Sequence, residues 1–478
     1  MGTPPETAGP TAIGADDAAD PLFMGCIPRA VRAPGADRAV TESRSMVQRS
    51  DANRPRPGRQ FADAPEVSRL PNGMTVVLEH LPWARTAALC VAIGAGSGHE
   101  APGEWGVAHC LEHLLFKGTR SRSARQLMEA IESRGGYVNA STGRENTTVY
   151  ARVPAPHAPD ALEILADITL NATLRDLDRE RAVIIEEILA AEDTPEEFAQ
   201  DLLTERHWPG HPLGRSILGS VDSISALDRR RVAAFMRRWY TPSNMVLSVA
   251  GHFDRLAIAR AARHLFGERP PRNVPPAPPP PRFVPGAHFL RRPLNQGHLC
   301  LAFPAASLHD PRRYDFAVLA QLLGGGSTSR LFDRIREREG LAYSVYAWTQ
   351  HFSRAGVLGV YLAAAPDAWR DARRLLFEEI ARLSKERPDP AEIDIAREQL
   401  KASLLMAHES CGGRAGRNAA AILDYGRPIP IEEHLRHYDR VTPESLADTA
   451  AQCLRAEACA LLVLGPARLR PTARVDLP

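Results

Sequence analysis

At 478 residues the chain is too long for one ordinary hydrophobic core, so two or three domains are expected. Its 59 basic and 57 acidic residues nearly cancel, leaving no field that would draw the whole molecule to nucleic acid or an anionic membrane. No run approaches the roughly 18 apolar residues of a membrane span, and seven scattered cysteines with no Cys-x-x-Cys pair argue against a disulfide framework or a thiolate zinc knot and for a reducing, cytoplasmic setting.

Residues 1–66 are rich in Pro, Ala, Gly and Arg and poor in large apolar side chains, which predicts a disordered extension. Its Arg- and Ser-containing part, 29–59, leaves a mitochondrial matrix or periplasmic location as the alternative to the cytoplasm, although the acidic "ADDAAD" before it is unlike a transit segment. Folding is expected from 67 onward. Strands are predicted over 74–78 and 87–93, then a helix carrying "GVAHCLEHLLFKGT". The segment "SARQLMEAIESRG" reads as another helix, and "YVNASTGRENTTVY" alternates as a strand.

A proline block at 268–286 is too rigid and donor-poor for a helix or central strand and reads as an extended linker. It separates a first domain, 67–267, from a second, 287–478. The two look duplicated: "LCVAIGAGSGHE" from Leu89 aligns with "LCLAFPAASLHD" from Leu299 at an offset of 210, which places His109, Glu112 and His113 on Leu319, Leu322 and Leu323. The mixture of strand and helix patterns, with hairpin-like strand spacing, predicts an α+β fold built on antiparallel or mixed sheets.

On a helix, His109, Glu112, His113 and Phe116 share one sector, and Val107, Leu111, Leu114 and Leu115 share the opposite one. Imidazoles at i and i+4 can reach one ion, and the carboxylate just before the second projects beside it as a general base. The competing reading is the solvated face of an amphipathic helix. A catalytic zinc also needs a third protein ligand. In "LDRERAVIIEEILAAEDTPEE", Glu180 and Glu187 are seven apart on one helical face with Val183, Ile184 and Ala191; Glu187 is the better ligand and Glu180 the carboxylate that shapes the site.

Taken in order, "HCLEHLLFKGT", "GGYVNASTGRENTTVY", "ERAVIIEEILAAEDTP" and "LLGGGSTSRLFDRIREREGLAYSVYA" resemble the inverzincin metallopeptidases of the pitrilysin and mitochondrial processing peptidase group, family M16, from Arg69 to the C-terminal region. The resemblance implies two homologous domains of the metallohydrolase architecture shared with LuxS. It implies Zn2+ held by His109, His113 and Glu187, with Glu112 as the base that activates water and Glu180 as the second acidic residue of the motif.

From the second domain, Arg336 and Tyr343 would reach the site, Arg336 to hold a substrate carbonyl or carboxylate and Tyr343 to donate to the developing oxyanion. Asn139 and Ala140 would pair with an extended peptide, and the loop of Gly324, Gly325 and Gly326 would touch it. That glycine run lacks the Gly-Lys-Ser/Thr ending of a phosphate loop. The implied protein is a zinc endopeptidase acting on unfolded peptides or short protein segments, working as a homodimer or a paralogous heterodimer around a closed chamber, with no nucleic-acid partner. The alternatives are a non-catalytic scaffold of the same fold and a processing subunit active only with a partner.

Overall fold

The computed structural model describes residues 64–469; the extension assigned to 1–66 lies outside the described residues apart from its last three. Strand β3 (Thr86–Ile93) shows how the architecture arises. Ala87, Leu89, Val91 and Ile93 pack into one core, while Ala88, Cys90 and Ala92 pack into another on the opposite face. A strand apolar on both faces has to be central and covered twice.

It sits in a six-stranded sheet that also contains β1 (Glu66–Arg69), β2 (Thr75–His80), β4 (Tyr137–Thr142), β5 (Thr147–Pro154) and β6 (Met245–Gly251), in the order β1-β2-β6-β3-β5-β4. Only β2 and β6 run parallel. A second sheet contains β7 (Gly286–Arg291), β8 (Gly297–Ala305), β9 (Ala342–His351), β10 (Gly356–Ala364) and β11 (Ala460–Gly465), in the order β7-β11-β8-β10-β9, again with a single parallel pair, β7 with β11. Without β1 the two orders coincide strand for strand, and Leu89 on β3 corresponds to Leu299 on β8, as the offset of 210 requires. The duplication suggested by two short segments extends to the topology of both sheets.

The first half contributes helices α1 (Val107–Leu115), α2 (Ala124–Glu132), α3 (Ala158–Asn171), α4 (Leu177–Glu192), α5 (Pro195–His207), α6 (Val221–Ser225), α7 (Arg229–Trp239) and α8 (Arg255–Gly267). The second contributes α9 (Arg313–Gly324), a π-helical turn at Phe332–Arg338, α10 (Trp369–Lys385), α11 (Pro390–Glu409), α12 (Cys411–Tyr425), α13 (Ile431–Asp439) and α14 (Pro443–Cys453). Each half covers one face of its own sheet with its own helices. The other face is covered by a helix from the opposite half.

Ala415, Ala419 and Ile422 of α12 pack on Val77, Ala88, Cys90 and Val246 of the first sheet. Ala199 and Leu203 of α5, with Trp208 and Leu213, pack on Cys300, Ala302, Tyr361 and Leu462 of the second. Glu79 on β2 is buried at this junction, its carboxylate accepting from Arg414 and, at 2.7 Å, from Asn418 Nδ2. A buried carboxylate is tolerable when paired and hydrogen-bonded in this way.

The proline block has no helix or strand between Gly267 and Gly286 and is held against the body by Ser243 Oγ on Arg272 O (2.9 Å), His211 Nε2 beside Pro279 O (2.8 Å) and Val284 N on His207 O (2.9 Å). The segment read as one strand, "YVNASTGRENTTVY", is a hairpin: Gly143 N donates to Asn146 O (2.8 Å), and the turn divides β4 from β5. Polar residues on both arms hide the break from a period-two count. Among the described residues no helix is long and apolar enough to cross a membrane.

Candidate metal centre

Helix α1 starts where Gly106 adopts φ +81, with no room for a Cβ beside Ile224 and Leu218. Its first amide groups would be orphaned inside the protein. The Glu100 carboxylate accepts from both Gly106 N and Ala108 N at 2.9 Å, and burial pushes Glu100 up to about 8. Val107, Ala108, Cys110, Leu111, Leu114 and Leu115 are buried against the first core, which leaves His109, Glu112 and His113 half-buried on the other side.

Helix α4 runs past that side. His109 Nε2 and His113 Nε2 stand 3.7 and 3.5 Å from the same oxygen, Glu187 Oε2, and the ligand atoms of the three residues all lie within 4.8 Å of one another. Donors each about 2.1 Å from a tetrahedral zinc stand about 3.4 Å apart, so the spacing fits that ion. Two turns earlier on α4, the buried Glu180 places Oε2 3.3 Å from His113 Nδ1, and Lys117 Nζ lies 2.9 Å from its other oxygen. Fixing Nδ1 in this way leaves His113 Nε2 with its lone pair toward Glu187. Burial and the neighbouring His113 hold His109 down at about 4, which keeps it neutral, the form that can bind a metal. Its Nδ1 is buried and has no hydrogen-bond partner among the described residues.

The apolar face of α4 is narrower than the sequence suggested. Ile184 is buried but Val183 is 40% exposed. Glu187 is half-exposed, so the metal group opens to solvent on its α4 side.

Glu112 receives a hydrogen bond from Thr142 Oγ1 at the end of β4. Burial raises its pKa; the Thr142 bond and His113 oppose the rise, and Glu187 adds to it. Asn139 and Ala140 lie on β4, which among the described residues pairs with β5 alone and forms the edge of the first sheet.

Arg336 and Tyr343 meet each other: Arg336 Nη1 donates to Tyr343 O (2.9 Å), and its guanidinium lies 4.6 Å from the centre of the Tyr343 ring; Tyr343 as a whole is 63% exposed. Within this chain no described hydrogen bond, ion pair or ring contact joins either of them to His109, Glu112, His113 or Glu187. Gly324 is buried at the end of α9, where a Cβ would strike the backbone of Ala347 on β9; Gly325 is exposed and Gly326 partly so.

The sequence reading missed Glu100, Lys117 and Thr142. Lys117 sits four residues after His113, a spacing that could have shown it on the same face. Thr142 carries no such signal, because it reaches Glu112 only through the placement of β4.

Residues 75–221 match the family model described as Insulinase (Peptidase family M16), and residues 226–400 match the one described as Peptidase M16 inactive domain. The chain is 36% identical over 404 residues to an uncharacterized zinc protease of Mycobacterium leprae, covering 83% of this chain and 91% of that protein. It is 34% identical over 403 residues to the uncharacterized zinc protease YmxG of Bacillus subtilis, covering 84% and 98%.

Among solved structures, a protease from Helicobacter pylori superposes with a TM-score of 0.80 at 20% identity, over 84% of this chain and all of that one. A peptidase M16 inactive domain from Pseudomonas fluorescens does so at 0.78, also at 20% identity, over 87% of this chain and all of that one. These two share the two-sheet α+β fold. The relatives named as zinc proteases and the His-His-Glu group able to hold a metal together make zinc the cofactor. On both halves of the match, the chain belongs to peptidase family M16.

Proposed function

We propose that the protein is a zinc-dependent endopeptidase that hydrolyses unfolded peptides or short protein segments. The observation that carries this reading is the convergence of His109, His113 and Glu187 beside a carboxylate, Glu112, that is not part of the metal group. His109, His113 and Glu187 would hold the zinc. When bound there, zinc supplies Lewis-acid polarisation of a peptide carbonyl and acidifies a coordinated water.

The remaining work falls to the chain itself. Glu112 takes a proton on the oxygen that Thr142 leaves free and passes it to the departing amine; its burial raises its basicity toward the range useful for that transfer. Glu180 and Lys117 orient His113. The free edge of β4, with Asn139 and Ala140, would take an extended peptide by main-chain pairing, which suits many sequences. Gly325 and Gly326 are the members of the glycine run open enough to touch such a peptide.

Arg336 and Tyr343, turned outward as a pair, would serve the zinc site of a second protomer in a homodimer, Arg336 holding a substrate carbonyl and Tyr343 donating to the oxyanion. A processing heterodimer is the alternative assembly. The free thiols of Cys90, Cys110, Cys300, Cys411, Cys453 and Cys459 suit a reducing compartment such as the cytoplasm.

The test is Glu112→Gln assayed on an unstructured fluorogenic peptide. Zinc content at the wild-type level with turnover reduced at least about a thousandfold is expected. Retained cleavage would remove Glu112 from its role.

A further inference from the structure

A cleft of about 680 Å³ opens between the end of α3 with the loop after it, helix α7, and the chain just beyond α8. Arg120, Arg175, Arg229, Arg230, Arg237, Arg269 and Arg272 line it, and no Asp or Glu does. Among the described residues none of the seven forms an ion pair with a carboxylate.

This is a segregation of charge in a chain whose overall formal charge is only +2. It divides α7 lengthwise. Arg230 and Arg237, seven apart and superimposed on the helix, serve the cleft, whereas Arg238 pairs with Glu104 at 2.5 Å and Arg231 donates to the carbonyls of Gly103 and Ala226.

Two of the guanidiniums are fixed in place without being neutralised. Arg269 Nη2 donates to Leu170 O and, at 3.1 Å, to Asn171 Oδ1; Arg229 Nη2 donates to Thr173 O at 2.7 Å. Arg269 is held below its ordinary pKa by burial and by the charges of Arg120 and Arg272 beside it. Like charges gathered from four separate parts of the chain, two of them pinned by uncharged acceptors, repel one another, and a bound anion relieves that cost.

We propose that this cleft binds a compact inorganic polyanion, a short chain of linked phosphates. The guanidinium fork matches phosphate oxygens bidentately, and the volume lies in the range of small-ligand sites. Among the described residues no strand lines the cleft, so it offers an extended acidic peptide no edge to pair with. Its lining offers a single aromatic ring, Tyr240, which is too few to stack the successive bases of a nucleic acid. The proposal does not depend on the peptidase reading, since it concerns binding at a separate place.

Calorimetric titration of the full chain with sodium tripolyphosphate tests it, beside the triple variant Arg230→Gln, Arg237→Gln, Arg272→Gln and the single variant Arg230→Glu, which keeps the test open if the triple variant does not fold. Saturable binding is expected, weakened at least about tenfold in the variants and falling steeply with added salt, with an oligoglutamate of equal charge binding at least about tenfold more weakly. Absence of saturable binding, unchanged affinity in folded variants, or equal affinity for oligoglutamate would overturn it.

Discussion

In the proposed mechanism Thr142 would determine which oxygen of Glu112 is open to proton transfer, because its hydroxyl donates to Oε2. Removing one hydrogen bond to a charged group costs about 1.5–3 kcal/mol. Thr142→Val is therefore expected to lower kcat about 10- to 100-fold with zinc content and KM near wild type, as steady-state kinetics on a peptide substrate would show. His109, Glu112 and His113 were legible in the sequence because helical geometry fixes residues four apart on one face. Glu180 and Glu187 were legible for a similar reason, lying two turns apart. The partners that tune these residues were not. Glu100 arrives from the turn before α1 and Thr142 from a sheet edge, and neither place is encoded in local periodicity.

At the scale of elements, the exchange of α5 and α12 between the halves was invisible to sequence, since an apolar helical face does not say which sheet it will cover. The strands were easier to find: β3 and β8 are apolar on both faces and bounded by turn residues. Helix α12 also carries a titratable load. Burial and the nearby charge of Glu145 push Asp424 up to about 6, while Glu145 itself accepts from Ser353 N (2.7 Å) and Ser353 Oγ across the junction between the halves.

The folded chain keeps the Asp424 proton to a higher pH than the unfolded chain does. It therefore loses stability as pH rises from the ordinary 3.8 through about 6. Asp424→Asn removes that loss. Melting curves of variant and wild type are expected nearly to coincide at about pH 4 and to separate at about pH 7 with the variant higher; a variant lower at the higher pH would contradict this.

At the scale of the whole molecule, two copies of one strand order have diverged in chemistry. Where α1 carries His109, Glu112 and His113, α9 carries the buried leucines Leu319, Leu322 and Leu323, so one copy presents polar groups where the other packs apolar ones. The outward pair Arg336 and Tyr343 makes assembly testable. Mixing Glu112→Gln chains with Tyr343→Phe chains is expected to restore part of the activity that each lacks, and the absence of any rescue would count against a shared site. Metal binding by His109, His113 and Glu187 is the property every other role at the site depends on. Equilibrium dialysis against zinc, with bound metal counted per chain, is expected to give one tightly held ion for the wild type and at least about a hundredfold weaker retention for Glu187→Gln. A wild type that holds no zinc, or a Glu187→Gln chain that holds it equally well, would contradict the assignment.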